Sequence, residues 1–119
     1  NAIAVIDPET RKVIRKVEVG TVPIQLYATP DSRTLLVANQ GTRKMPGKTV
    51  SMIDLETFKV VKTVVTGAGA HGVVVDRDGR YAYVTNIYAN SVSVLDVKDR
   101  KVTKTVPVGK APNGISVTP

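Results

Sequence analysis

The sequence of 119 residues contains no cysteine and no tryptophan, and only 4% of its residues are aromatic. The lack of cysteine excludes disulfides and thiolate metal sites. No apolar run approaches the ~20 residues that a membrane-spanning helix requires, so we expect no membrane span. The single histidine, His71, argues against a metal site formed by this chain alone. We find no nucleophile elbow, phosphate-binding glycine loop or dinucleotide fingerprint, and therefore predict no catalytic residue and no cofactor.

The residues that are abundant favour β-structure. Hydrophobic residues make up 42% of the chain and valine dominates them, which suits a pleated sheet because valine is β-branched. The length is that of one domain with an ordinary core. The formal net charge of +7 favours an acidic partner, such as nucleic acid or an anionic surface.

Three aspartates reveal an internal repeat. Asp7, Asp54 and Asp96 each end an apolar segment, and they lie 47 and 42 positions apart. A glycine follows each aspartate at a distance of 13 residues. The unit is therefore 42 residues long, and one copy carries five extra residues within positions 40–48. Such a constant register is typical of a repeat protein.

Each unit contains four short β segments. In the last complete copy we predict them at residues 71–76, 81–86, 91–96 and 102–108, with an Asp-Gly hairpin turn between the first two. Strands joined by short turns are antiparallel. Four antiparallel strands in about 40–45 residues are the signature of propeller blades. The predicted fold class is therefore all-β, with β-propeller blades of four antiparallel strands.

The strand count does not close a ring. We predict eleven strands, about 2.75 blades, the last at residues 115–119, in a single partial domain with blade pieces 1–22, 23–69, 70–111 and 112–119. A closed propeller needs at least about four blades. We therefore expect a fragment of a larger, seven-bladed propeller, completed by blades of the same longer chain or of other copies.

One blade carries a recognisable motif. The chain contains YVTN at residues 83–86, followed by VSVLD at 92–96 and VPVG at 106–109. This pattern resembles the YVTN-type β-propeller repeat of surface-layer, secreted and periplasmic proteins, whose sheets are similar to those of haem d1 and lactonase-type propellers. The copy at residues 36–39 departs from the motif with LVAN, which still suits a strand. The resemblance implies a periplasmic, secreted or cell-surface location.

Residues that break the repeat are the functional candidates. His71 shares its repeat position with Ile24 and Asn113, and in propellers this loop position lies near the mouth of the central channel. His71 is therefore either a ligand or proton-transfer group or an ordinary loop residue. The five extra residues within positions 40–48 should project on the same face of the blades as His71. A loop that is longer in one blade only is a functional candidate. We predict ligand or partner contacts at Gln25, Arg43, Lys44, Lys48, His71, Tyr88 and Asn113.

Other charged residues have structural explanations. The three repeated aspartates are expected to cap turns with their carboxylates. We interpret Asp76-x-Asp78-Gly79 as a hairpin turn and not as a calcium loop, because the later carboxylate of such a loop is missing. Basic residues repeated on the fourth strand are expected to block pairing at the blade edge.

These observations favour a non-catalytic binding or scaffold module of a secreted, periplasmic or cell-surface protein. Its upper-face loops would contact a protein or a cell-envelope polymer. The first alternative is a piece of a propeller enzyme similar to haem d1 reductases or lactonases, with His71 facing the channel. The second is nucleic-acid binding, which the positive charge favours and the scarcity of aromatic residues opposes.

Overall fold

The structure, a computed structural model, describes residues 1–118. Within this range all regular secondary structure is β, and no helix suited to crossing a bilayer occurs among these residues. The strands are β1 (Ala2–Asp7), β2 (Lys12–Glu18), β3 (Pro23–Ala28), β4 (Thr34–Gly41), β5 (Pro46–Asp54), β6 (Lys59–Val65), β7 (Ala70–Val75), β8 (Tyr81–Asn86), β9 (Ser91–Asp96) and β10 (Lys101–Pro107).

The strands form three antiparallel sheets in which sequence neighbours pair. The first sheet contains β1 and β2, the middle blade contains β3 to β6, and the last blade contains β7 to β10. The inner strands β3 and β7 of the two blades lie side by side, and β6 and β10 lie at the outer edges. Four-stranded meanders packed face to face in this way are propeller blades, which confirms the predicted fold class.

The strands of the last blade follow the predicted register closely. β8 and β9 have the predicted bounds, and β7 and β10 each begin one residue before the predicted position. The predicted Asp-Gly turn is present, since the Gly79 amide donates to the Asp76 carbonyl over 3.0 Å. Gly79 has a φ of 71°, a left-handed conformation that glycine adopts without steric cost.

The eleventh strand expected at residues 115–119 does not form among the described residues, and Pro119 lies outside them. A strand exists only where a neighbour supplies backbone partners, and residues 115–118 have no such neighbour. The preceding segment instead rests on the last blade, where the Thr85 hydroxyl donates to the Asn113 carbonyl over 3.2 Å.

The core lies between the sheets, and strands β4 and β5 of the middle blade are buried on both faces. Side chains alternate along β4, so Val37 packs with Val17 and Ile53 toward the first sheet, whereas Leu36 faces the last blade. Full burial of each such side chain contributes about 1.5–3 kcal/mol. The larger cluster, between the two blades, contains Leu36, Ala38, Val50, Met52, Val64, Ala70, Val73, Val75, Ala82, Val84 and Leu95.

The far face of the last blade is more open than the same face of the middle blade. By repeat position, Tyr83, Val92, Val94 and Val106 on the last blade correspond to Leu36, Val50, Met52 and Val64 on the middle blade. The four middle-blade residues are at most 4% exposed, whereas Val106 is 36% exposed and the other three are half-buried. The same positions are therefore core in one blade and partly solvent-exposed in the other.

Candidate functional site

The connections between strands fall at two opposite ends of the blades, because antiparallel strands alternate in direction. We call the connections at one end the lower turns; they comprise residues 8–11, 29–33, 55–58, 76–80 and 97–100. We call those at the other end the upper loops; they comprise residues 19–22, 42–45, 66–69, 87–90 and 108–114.

The lower turns are capped by the repeated aspartates. One carboxylate oxygen of Asp54 accepts hydrogen bonds from the amides of Glu56 and Thr57 at 2.9 and 2.7 Å. Asp7 and Asp96 accept amide hydrogen bonds of the same kind. Donation from the Thr57 amide lowers the pKa of Asp54 below its usual 3.8, and amide donation lowers the pKa of Asp7 likewise. The structural interpretation of these aspartates is therefore confirmed.

The turn after β7 uses its first carboxylate in the same manner. The two oxygens of Asp76 accept from the amides of Arg80 and Tyr81 at 2.8 and 3.2 Å, so the hairpin turn accounts for this residue. Within residues 1–118, no group of three His, Cys, Asp or Glu side chains is placed to hold a metal ion.

Charge is distributed unequally between the two ends. Nine of the ten acidic residues lie in the lower turns or at the strand ends beside them, together with nine Lys and Arg residues, so this end is formally neutral. The tenth acidic residue, Glu18, ends β2 beside the upper loop of residues 19–22. The nine acidic residues of the lower end are Asp7, Glu9, Asp31, Asp54, Glu56, Asp76, Asp78, Asp96 and Asp99.

The upper end carries a net positive charge. Arg43, Lys44, Lys48 and Lys110 lie there against one carboxylate, that of Glu18 at the end of β2, and the described upper loops themselves contain no acidic side chain. The remaining positive charge lies on the outer strands, which hold four cations. The net charge of the chain is therefore located on the upper end and the outer edge, and none of it on the lower end.

A chain of hydrogen bonds joins three elements at the upper end. Gln40, in β4, accepts from Nδ1 of His71 over 2.6 Å and donates through Nε2 to the hydroxyl oxygen of Tyr88 over 2.7 Å. Because the amide oxygen faces the ring, His71 carries a proton on Nδ1. The middle blade thus holds both the first residues of β7 and the loop after β8.

Tyr88 is fixed further by its backbone and by its ring. Its amide donates to the Ala68 carbonyl over 3.1 Å. Its ring covers Gly69, where an added Cβ would lie 2.5 Å from Cδ2. The guanidinium carbon of Arg43 lies 5.6 Å from the ring centroid, within the distance of a cation–π contact. Arg43 is thereby placed over an aromatic surface that is itself held in position.

A cleft of about 570 Å³ opens beside Tyr88. It lies between the β4–β5 hairpin, the loop after β8 and the segment after β10. Its polar lining residues are Arg43, Tyr88, Asn90 and Lys110, and its apolar lining residues are Pro46, Ala68, Ile87 and Ala111. A groove with two cations and no carboxylate can bind an anionic group.

The structure brings together three of the seven predicted contact residues. His71, Tyr88 and Arg43 are linked around Gln40 and the cleft. Lys44 is exposed at the hairpin tip. Lys48 lies at the upper end of β5 and lines a second cleft, of about 480 Å³.

Of the other two predicted contact residues, Gln25 lies on the inner strand β3 and Asn113 lies in the segment after β10. The side-chain oxygen of Gln25 accepts from the Val73 amide over 3.2 Å. The carbonyl of Asn113 accepts from Thr85, and its side-chain oxygen accepts from the Gly114 amide over 2.6 Å. Both residues therefore make contacts within the fold and lie outside the cleft.

Three residues of the site were not predicted from the sequence: Gln40, Asn90 and Lys110. The repeat register held a signal for two of them. Gln40 stands where the next copy has Ile87, and Lys110 stands where an earlier copy has Ala68. Each exchange of an apolar for a polar residue marks a departure from the blade framework.

The sequence matches a family model described as YNCE-like beta-propeller over residues 42–118. Among curated protein sequences, no significant match was found. A solved structure of hydrazine synthase from Kuenenia stuttgartiensis is similar at 32% identity and a TM-score of 0.76. That match covers 91% of this chain and 30% of the other.

Two further solved structures share the fold at lower identity. A protein of unknown function from Desulfotomaculum acetoxidans matches at 16% identity and a TM-score of 0.82, over 98% of this chain and 38% of the other. The dihydro-heme d1 dehydrogenase NirN, solved in complex with DHE, matches at 23% identity and a TM-score of 0.77, over 95% of this chain and 24% of the other. The chain therefore spans well under half the length of the propellers it matches.

Proposed function

The chain belongs to the YNCE-like β-propeller family, and we propose that it is a non-catalytic binding module whose upper loops receive an anionic partner. The observation that carries this proposal is the separation of charge between the two ends. Four cations and one carboxylate, that of Glu18, lie at the described upper end, while the lower end is formally neutral. A face of net positive charge attracts and orients a partner of the opposite sign.

We propose an acidic polymer of the cell envelope as the partner. The four cations are distributed over the hairpin tip, the start of β5 and the segment after β10. A single exposed ion pair contributes about 0–1 kcal/mol, so a partner needs several contacts at once. A polymer with repeated anionic groups supplies them, and a secreted, periplasmic or cell-surface location, which the YVTN-type motif implies, would expose the module to it.

The module would work as part of a larger propeller. Val106 and its neighbours on the last blade occupy positions that are buried in the middle blade. Leu26 on β3 is 50% exposed, although Val73, at the same repeat position, is fully buried. Other blades, from the same longer chain or from other copies, would cover these surfaces by the packing already seen between the two blades.

Retention on immobilised polygalacturonate at increasing salt tests the proposed function. We expect the 119-residue chain to bind at low salt, to elute as salt rises because exposed charges are screened, and to pass through neutral dextran. Equal behaviour on both matrices would contradict the proposal. Tighter retention by a single-stranded oligonucleotide of equal charge would favour nucleic-acid binding instead, with the salt dependence typical of phosphate contacts.

A piece of a propeller enzyme is the second candidate. It is supported by the 32% identity to hydrazine synthase over 91% of this chain and by the placement of His71 beside the upper loops. A titration with haem distinguishes the two. If this alternative holds, the Soret band shifts on addition of the chain, and His71→Ala abolishes the shift. The binding-module proposal expects no difference between the two proteins.

A further inference from the structure

We infer that the cleft beside Tyr88 is a binding site for an oxyanion, a carboxylate or phosphate group carried on a small apolar body. The inference rests on the proposed function, because it assigns ligand chemistry to one part of the cationic upper end. The inference goes beyond the proposed function because it assigns a specific ligand group to one cleft, whereas the proposed function rests on the charge of the whole upper end.

Each of the four polar side chains that line the cleft has a hydrogen-bond donor that a ligand could use. Arg43 and Lys110 have donors only. The hydroxyl oxygen of Tyr88 accepts from Gln40 over 2.7 Å, which leaves the phenolic O–H free to donate. The side-chain oxygen of Asn90 accepts from the Ala111 amide over 3.0 Å, which leaves the side-chain NH₂ free. A ligand that matches four donors must present several acceptor oxygens and negative charge.

The walls of the cleft determine the rest of the ligand. Pro46, Ala68 and Ile87 offer apolar surface beside the Tyr88 ring. The volume of about 570 Å³ falls within the range of small-molecule sites, which are about 300–1,000 Å³ and mostly apolar with a few placed polar groups. An oxyanion attached to an aromatic or aliphatic body of a few atoms fits both the walls and the donors.

The aromatic part of the site is formed before any ligand arrives. Gln40 and the Ala68 carbonyl hold Tyr88 in place, and Arg43 lies over the ring. A donor that is already oriented loses less conformational freedom on binding than a mobile side chain. The cleft therefore differs from an exposed lysine such as Lys44, which carries the same charge with no fixed partner surface.

The cleft between the first sheet and the middle blade provides an internal comparison. It has about 480 Å³. Gly41, which lines it, stands at the repeat position of Tyr88, and Lys48 is its one charged lining residue. The second cleft therefore lacks the aromatic wall and one cation, and we assign the oxyanion site to the Tyr88 cleft alone.

Titrations of the ¹⁵N-labelled 119-residue chain with four probes test the inference by NMR. Phenyl phosphate and benzoate carry the oxyanion, and phenol and benzamide are their neutral controls. We expect shifts centred on Ile87, Tyr88 and Ala111 with the oxyanions and weak or no shifts with the controls. Stronger binding of phenyl phosphate identifies phosphate as the natural group, and stronger binding of benzoate identifies carboxylate; either outcome supports the site.

Matched variants separate the cleft from general charge. Since a hydrogen bond to a charged group is worth roughly tenfold in affinity or more and exposure reduces this, we expect Arg43→Gln or Lys110→Gln to weaken oxyanion binding about three- to tenfold. Lys44→Gln, which removes the same charge beside Arg43 but no lining residue of the cleft, should weaken it by less than about twofold, through lost long-range attraction alone. Tyr88→Phe keeps the ring, removes the hydroxyl donor and should weaken binding about two- to fivefold.

Neutral probes that bind as tightly as the oxyanions would overturn the inference, as would equal losses for Lys44→Gln and Arg43→Gln. Failure of the proposed function gives a different result. In that case the chain passes through immobilised polygalacturonate unretained, while phenyl phosphate or benzoate still binds the cleft. Retention of the chain by the polymer without any binding of the small oxyanions would contradict the inference about the cleft and would leave the proposed function supported. Circular dichroism of each variant confirms that it is folded.

Discussion

The lower turns and the upper loops join the same strands, yet they differ in chemistry. The lower turns repeat one arrangement, in which an aspartate such as Asp54 or Asp96 accepts amide hydrogen bonds from the residues after it. The upper loops repeat less: Asn1 and Asn90 each accept a linker amide in the same way, but the loops differ in length and charge. One of the five is a basic hairpin, one is a short loop carrying Tyr88, and three follow outer strands. The lower end is thus built by the repeat, whereas the upper end is built from departures from it.

Under the proposed function, this difference separates residues that stabilise the blade from residues that bind a partner. A residue present in every copy is constrained by the blade, because the same contacts recur in each one. A residue present in one copy only is free of that constraint and can serve a ligand. The charge distribution follows the same division, since the acidic residues that cap turns are confined to the lower end.

The largest expected effect comes from a framework residue beside the upper loops. Asn86 is fully buried, donates to Ser91 and Ser93 at 3.0 and 2.9 Å, and accepts from the Gly67 amide at 3.1 Å. Asn86→Ala should lower the free energy of unfolding by about 2–4 kcal/mol, because it leaves these buried groups unpaired. Urea unfolding measures the loss, and polygalacturonate binding of the folded variant should not change.

The equivalent residue of the middle blade sharpens this prediction. Asn39 makes the same two donor contacts, to Thr49 and Ser51, but its side-chain oxygen has no partner among the described residues. Asn39→Ala should therefore cost about 1 kcal/mol less than Asn86→Ala. An equal or larger loss for Asn39→Ala would contradict the assignment of the Gly67 contact as stabilising.

An intermediate effect is expected in the upper linker before β3. Val22 has a φ of 49°, although it is β-branched, and Gly69 occupies the same repeat position with a φ of 75°. Left-handed backbone costs a residue with a Cβ about 1–2 kcal/mol. Val22→Gly should raise the free energy of unfolding by about 1 kcal/mol, once the greater flexibility of glycine in the unfolded chain is offset.

Thermal unfolding of a matched variant controls this result. Val13 is an exposed valine within β2, so Val13→Gly makes the same substitution in a strand. It should lower the thermal midpoint, because glycine in a strand interior is unfavourable. A lower midpoint for Val22→Gly as well would show that its left-handed conformation stores no strain.

The smallest effect concerns the lower turns and pH. The pKa values of Asp7 and Asp54 are lowered in the folded chain by amide hydrogen bonds. Their ionised forms therefore favour folding at pH values above the usual pKa of 3.8, and this contribution is lost as the pH falls below it through the lower folded pKa. Asp54→Ala should reduce stability slightly at pH 7 and flatten its acid dependence below pH ~4.

Urea unfolding at neutral and acid pH measures this change. Asp78→Ala, which removes an exposed carboxylate in a different lower turn, is the matched control. If both variants change the acid dependence equally, the amide hydrogen bonds of Asp54 are not its cause.

The fold was largely predictable from the sequence, since local chemistry determines it. Alternating valines and the Asp-Gly turn located β8 and β9 at their observed bounds. The prediction of a final strand at residues 115–119 was wrong within the described residues. A strand needs a neighbouring strand to pair with, and a local sequence pattern does not show whether one is present. The cleft was predicted only in part. Arg43 and Tyr88 stood out as departures from the repeat, but Gln40 and Asn90 act through contacts between loops that only the folded blades bring together.

The most direct test of the division between the two ends is a pair of fourfold variants with the same net charge. One carries Gln in place of Arg43, Lys44, Lys48 and Lys110 at the upper end; the other carries Gln in place of Arg11, Arg33, Arg77 and Lys98 in the lower turns. Retention on polygalacturonate at low salt should fall to the level of neutral dextran for the upper variant and stay near that of the parent chain for the lower one. Equal losses in the two variants would show that overall charge, and not the upper end, binds the anion.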